Sequence, residues 1–164
     1  MDTGAFDELY HAAYPRLVAQ LHAMLGSRDE AEECVQEAFA RGWQHRATLG
    51  RADHPEAWLR TTAYRFAVSR WRKVVRGRRS PDRAVGPTLT APEVSADHVA
   101  LVDALATLPE AQRRALVLHY VADLPVEAVA RETGSPVGTV KARLSRGRAA
   151  LLPLLQDTAG RSSS

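Results

Sequence analysis

The stretch VEAVARETGSPVGTVKARL, residues 126–144, constrains the fold of this chain more than any other. It reads as two short helices about a Gly-centred turn. Ala130 stands four residues before Gly134, and Val140 six after it. Helices that cross closely need a small residue at the crossing. The turn between them needs a residue that accepts positive φ, which Gly does without steric cost. Val137, Val140 and Leu144 follow at three- and four-residue spacing and give the second helix an apolar inward face. This is the spacing of a helix-turn-helix, whose second helix lies in the major groove of duplex DNA.

Rotation at about 100° per residue assigns the faces of that second helix. Val140, Leu144, Gly147 and Leu151 point inward, and Thr139, Ala142, Ser145, Arg146 and Ala149 point outward. Lys141, Arg143 and Arg148 flank them. Small outward residues let a helix approach base edges, while basic flanks hold phosphates on either side.

Charge is unevenly placed. The formal net charge is only +3, yet residues 60–83 hold Arg60, Arg65, Arg70, Arg72, Lys73, Arg76, Arg78, Arg79 and Arg83 against the single acid Asp82. Residues 29–37 hold Asp29, Glu30, Glu32, Glu33 and Glu37 with no base. Two patches of opposite sign suit two partners, nucleic acid for the basic one and a basic protein surface for the acidic one.

Composition divides the 164 residues into three parts. Residues 5–76 are helical in pattern. Phe6, Leu9, Tyr10, Ala13 and Leu17 share a face that Leu21, Met24 and Leu25 extend, and Gly26-Ser27 ends it. Ser27 or Asp29 is expected to cap a second helix with Ala31, Cys34, Val35, Ala38 and Phe39 inward. Residues 48–55, TLGRADHP, read as a loop. Pro55 then opens a third helix, where its missing N–H is harmless. That helix runs through Trp58, Leu59, Ala63, Phe66, Ala67 and Trp71. Residues 77–96 hold three prolines and two glycines without period and read as a flexible linker. Residues 97–155 form a second helical unit. Leu101, Leu105 and Leu108 share a face; Ala115, Leu116, Leu118, His119 and Val121 share another after Pro109. The terminal RSSS is expected to lack fixed structure. Nothing alternates with period two, so the expected class is all-α, two small helical domains joined by the linker.

Chemistry-bearing patterns are absent. Cys34 is the lone cysteine, the six histidines lack ligand spacing, and there is no P-loop, GxGxxG, HExxH or GxSxG. The expectation is a non-enzyme with no metal or cofactor. No apolar run is long enough to span a bilayer and no signal peptide is visible, which gives a cytoplasmic expectation. In the third helix Trp58, Tyr64, Phe66 and Trp71 interleave with Arg60, Arg65, Arg70, Arg72 and Lys73. Aromatic rings beside cations suit single-stranded DNA, whose bases stack while its phosphates are neutralised. Trp58 and Phe66 fit the core better, while the arginine run suits DNA phosphate.

Taken in order, FDELYHAAYPRLVAQL, DEAEECVQEAFARGWQH, PEAWLRTTAYRFAVSRWRK and LPEAQRRALVLHYVADLPVEAVARETGSPVGTVKARLSRGRAALL resemble the extracytoplasmic-function (ECF) sigma factors of bacterial RNA polymerase, most of all actinobacterial members. The likeness covers nearly all of the chain outside linker and tail. It implies sigma region 2 at residues 5–76, binding core polymerase and melting and reading the −10 element. It implies sigma region 4 at 97–155, reading the −35 element. It also implies that the acidic second helix docks on the polymerase clamp helices. The expected −35 residues are Ser135, Thr139, Lys141, Arg143, Ser145, Arg146 and Arg148. The expected −10 residues are Trp58, Arg60, Arg65, Arg70, Arg72 and Lys73, and the expected polymerase contacts Asp29, Glu33, Gln36, Glu37 and Arg41. Core polymerase and promoter DNA are the implied partners, and an anti-sigma factor is a further one. Many relatives carry Ala-Arg-Asn mid-way along the third helix, where this chain has Ala63-Tyr64-Arg65-Phe66.

Two other readings remain at this point. A free-standing helix-turn-helix regulator explains residues 126–151 but leaves the acidic and aromatic-basic helices idle. A helical adaptor that binds only proteins is the other, favoured if duplex binding fails while the fold is intact. Copurification with core polymerase separates the first from a sigma factor, and duplex binding separates the second.

Overall fold

The computed structural model describes residues 1–77 and 95–162, with side chains described to Asp157. Helices α1 (Thr3–Leu25), α2 (Arg28–Gln44), α3 (Arg46–Arg51) and α4 (Pro55–Gly77) precede α5 (Ala96–Ala106), α6 (Glu110–Leu116), α7 (Val126–Thr133) and α8 (Val137–Ser162). No strand occurs among the described residues. The chain is all-α and divides into two compact units, one from residues 1–21 and 28–77, the other from 22–27 and 95–162. Of the expected linker at 77–96, residues 78–94 lie outside the described residues.

Side-chain chemistry at the ends sets the helices of the first unit. The Asp2 carboxylate accepts from the Ala5 N–H at 2.8 Å and caps α1. Gly26, at φ +82°, stops it. In α2 Asp29 and Glu30 stand in the first turn, beside the positive end of the helix dipole. Asp29 is thus inside the helix, two positions past Ser27, where a cap would sit. Ala31, Cys34, Val35, Ala38 and Phe39 are buried, as their spacing predicts. Pro55 is the first residue of α4.

Part of the expected 48–55 loop is helical instead. Leu49 of α3 is fully buried, and a Cβ on Gly42 would lie 3.2 Å from its Cδ2. Gly42 therefore lets α3 approach α2, and burial of the one large apolar side chain in TLGRADHP winds a helical turn before Ala52 ends it.

In the second unit Ser95 caps α5 by accepting from the His98 N–H at 3.2 Å. The core gathers Val102, Leu105, Leu108, Leu116, Val117, Leu118, Val129, Val140 and Leu144. After Leu116 the chain leaves α-helical register. Ala122 N–H bonds Val117 O, five residues back, at 2.9 Å, and Val121 is exposed, not on the core face its spacing suggested. The last helix continues past 155 to Ser162, with Pro153 inside it, so Arg161 and Ser162 of the tail are helical.

Candidate nucleic-acid and protein interfaces

The helix-turn-helix is closed by backbone geometry. Gly134 takes φ +65°, ψ +33°. Ser135 N–H then reaches Ala130 O at 3.0 Å and Gly134 N–H reaches Arg131 O at 3.3 Å, the paired bonds of a Schellman ending. Ala130, Val140 and Leu144 are buried, and Gly147 is buried where a Cβ would meet Leu116 Cδ1 at 2.7 Å. Val137 departs from the expected inward set. It begins α8 and is 36% exposed, because a helix's first turn projects beyond the crossing.

The expected −35 residues divide into three settings. Lys141, Ser145 and Arg146 are exposed, and Thr139 is half-buried in the first turn. Arg143 donates to Ser135 Oγ at 2.8 Å, which ties the turn to α8 and half-buries both. Arg148 is exposed and donates to the Tyr120 hydroxyl at 2.9 Å. Tyr120 belongs to no sequence-derived site, since its partner lies 28 residues away.

On α4 the expected −10 residues also separate. Arg65, Arg72 and Lys73 are exposed and Trp58 is half-buried. Arg60 must be struck from the set: it is 3% exposed and donates to Gln20 Oε1 at 3.0 Å. Arg60 stands three, four and seven residues before Ala63, Tyr64 and Ala67, all buried, so helical geometry turns it inward with them. Trp71, interleaved with the same cations, is 65% exposed.

The expected polymerase contacts lie along one side of α2. Asp29, Glu33, Gln36 and Arg41 are exposed and Glu37 is half-buried. With Phe66 and Arg70 of α4, the side chains of Glu33, Gln36, Glu37 and Ala40 line a shallow cleft of about 430 Å³. Arg70 pairs with Glu33 and Arg41 with Glu37, the latter at 3.1 Å. Both guanidiniums sit over the Phe66 ring, 5.2 Å away for Arg41 and 5.8 Å for Arg70. The hydrogen bond that Arg70 donates to Glu33 holds its guanidinium still more firmly charged. Arg70, expected on DNA, is thus shared with the acidic helix. Gln36 donates to the Tyr14 hydroxyl at 3.3 Å. Beneath this face burial pushes the Cys34 thiol up to about 11, so it is neutral and unreactive. Among the described residues no cluster of His, Cys, Asp and Glu is arranged to hold a metal ion. No described helix is long and apolar enough to cross a membrane.

Known proteins share both units. Residues 9–77 match the family described as "Sigma-70 region 2", and residues 98–151 match "Sigma-70, region 4". The ECF RNA polymerase sigma factor SigL of Mycobacterium tuberculosis is 34% identical over 82% of this chain and 79% of its own. SigW of Bacillus subtilis, another ECF RNA polymerase sigma factor, is 28% identical over 95% of this chain and 91% of its own. Among solved structures, the sigma factor RpoE of Bartonella quintana, in complex with the anti-sigma factor NepR, superimposes with a TM-score of 0.77 at 28% identity, covering 93% of this chain and 97% of that one.

Proposed function

Because the chain belongs to the ECF sigma factors, promoter-recognition subunits of RNA polymerase in transcription initiation, we propose the following division of labour between its two units. Region 4 reads the −35 element with α8. Thr139, Ser145 and Arg146 meet base edges, and Lys141, Arg143 and Arg148 neutralise phosphates, with Ser135 bracing Arg143. Exposure of Arg146 beside small Ala142, Ser145 and Ala149 is the observation that supports this face. A close approach leaves one long donor to pair with a guanine edge.

Region 2 holds core polymerase through Asp29, Glu33, Gln36, Glu37 and Arg41. It holds the −10 element through Arg65, Arg72 and Lys73, with Trp58, Arg70 and the exposed Trp71 beside them. The cleft between α2 and α4 carries the strongest single argument. Acids, cations and one aromatic ring converge there, a mixed surface that suits a charged helical partner better than DNA alone. The chain acts by binding, in the cytoplasm, and the polymerase supplies the chemistry. The solved relative bound to an anti-sigma factor supports an anti-sigma partner here too.

Copurification with core polymerase tests the reading. The wild-type chain should join the enzyme, and the doubly reversed Glu33→Lys, Glu37→Lys chain should not. Normal joining by the reversed chain contradicts the assignment of α2.

A further inference from the structure

We propose that Tyr120 and Arg148 form a clamp for a backbone phosphate of duplex DNA, beside the face of α8 that reads bases. The inference rests on the reading of α8 as the promoter-contacting helix and adds a site that the helix-turn-helix pattern does not contain.

The clamp depends on the irregular turn that follows α6. Over Val117–Val121 the backbone widens, and Leu124 N–H closes the loop on Leu118 O at 3.0 Å. Asp123, a non-glycine residue at φ +60°, carries the chain round. Local departures of this kind persist where surrounding contacts enforce them, and they collect at functional positions. Here His119 supplies one such contact, its Nδ1 donating to Leu124 O at 2.8 Å. The His119 ring in turn meets Tyr120 edge-on, 4.7 Å between centroids. Tyr120 is braced on that side and still 55% exposed.

Its hydroxyl accepts from Arg148 Nη1 at 2.9 Å. That leaves the phenolic O–H free to donate, because a hydroxyl accepts and donates at once. A guanidinium has five N–H donors, and the phenol takes one. Among the described residues Arg148 has no carboxylate partner. The pair therefore presents several N–H donors, one O–H donor and one positive charge from a fixed frame, which is the complement of a phosphodiester. Lys141 stands two turns earlier on the same flank of α8 and is exposed, so the clamp extends a basic row along the helix. Fixing the guanidinium before DNA arrives lowers the entropy lost on contact.

The test uses holoenzyme reconstituted from the full chain and core polymerase. One probe is a duplex selected by wild-type holoenzyme from a randomised pool, and the other is the same duplex with its −35 half scrambled. Arg148→Ala should weaken both duplexes by the same factor and lower the slope of log affinity against log salt by about 1. Tyr120→Phe keeps the ring and removes the hydroxyl. It should weaken both by an equal factor of about ten- to a hundredfold, as one hydrogen bond to a charged group implies. In the Arg148→Ala background Tyr120→Phe should change little more. An unchanged affinity for Tyr120→Phe, an equal loss in both backgrounds, or a loss confined to the selected duplex overturns the clamp. Arg146→Ala distinguishes the premise: if it spares the preference for the selected duplex, the reading of α8 fails; if it abolishes that preference while Tyr120→Phe is silent, only the clamp fails.

Discussion

Truncating Arg60 to Ala should unfold the first unit far more readily than it weakens DNA binding. Arg60 is 3% exposed and donates at 3.0 Å to Gln20, which is 5% exposed. Removing a hydrogen bond from a charged donor costs about 1.5–3 kcal/mol, and depriving the buried Gln20 oxygen of that donor costs about 1–3 kcal/mol. The two figures partly count the same contact, and the packing of the Arg stem is lost as well, so about 2–4 kcal/mol is the expected total. Arg65 lies on the same helix but is exposed, and Arg65→Ala should shift stability by less than about 0.5 kcal/mol. The pair Arg60→Met with Gln20→Leu removes both polar partners together and should recover part of the loss. Urea unfolding followed by tryptophan fluorescence measures this cleanly, because Trp43, Trp58 and Trp71 all lie in the first unit. The midpoint for Arg60→Ala should fall by about 1–3 M at the urea sensitivity of small domains. A wild-type midpoint together with weakened promoter binding would refute the burial argument and return Arg60 to the DNA face.

Four further outcomes follow from the same structure. Gly134→Ala places a Cβ in open space but at φ +65°, so backbone strain of about 1–2 kcal/mol should appear in thermal melts of the second unit, and Gly134→Asn should recover part of it; equal melting for all three rules out the αL turn. Arg146→Ala should reduce promoter affinity by about five- to a hundredfold, from about 1–3 kcal/mol, and flatten preference at one base pair, measured at fixed salt with the fold unchanged by circular dichroism. The double change Glu33→Lys, Glu37→Lys breaks two pairs whose side chains are 39–62% exposed, so the unfolding free energy from urea titration should change by no more than about 1 kcal/mol while polymerase binding is lost. The Cys34 thiol titrates near 11 when folded and at 9.0 otherwise, so the unfolded chain releases its proton first as pH rises. Its contribution to stability is full below about 9 and lost between about 9 and 11; Cys34→Ala should remove that alkaline slope, and a thiol reagent that labels Cys34 freely at neutral pH contradicts its burial.

Sequence was most informative where local chemistry decides structure. The spacing of Ala31, Cys34, Val35, Ala38 and Phe39 sufficed to orient α2, and Gly26, Pro55 and Gly134 marked boundaries through φ alone. Leu49 was illegible because its burial depends on Gly42 of another helix. Arg60 was misread although the signal was available: its place one turn before Ala63 and Tyr64 is a buried register, but its charge drew it into the basic run. Trp71 shares the apolar run with Ala67 and yet is exposed, since register alone says nothing about whether a neighbour covers a side chain. The pairing of Glu33 with Arg70 joins residues 37 apart in sequence, and the link from Arg148 to Tyr120 spans 28, so only tertiary structure reveals them. The widened turn at Val117–Val121 has no periodic signature, because it breaks the period by which helices are recognised.

Run-off transcription from a library of genomic promoter fragments, with core polymerase and the full chain, decides whether the chain selects promoters. Transcripts should depend on the chain and start downstream of two shared, regularly spaced elements. Arg146→Ala should impair transcription through the upstream element, and the Glu33→Lys, Glu37→Lys chain should yield no transcripts at all. A wild-type chain that joins core polymerase yet starts transcription without shared elements, or a charge-reversed chain that transcribes normally, would contradict that role.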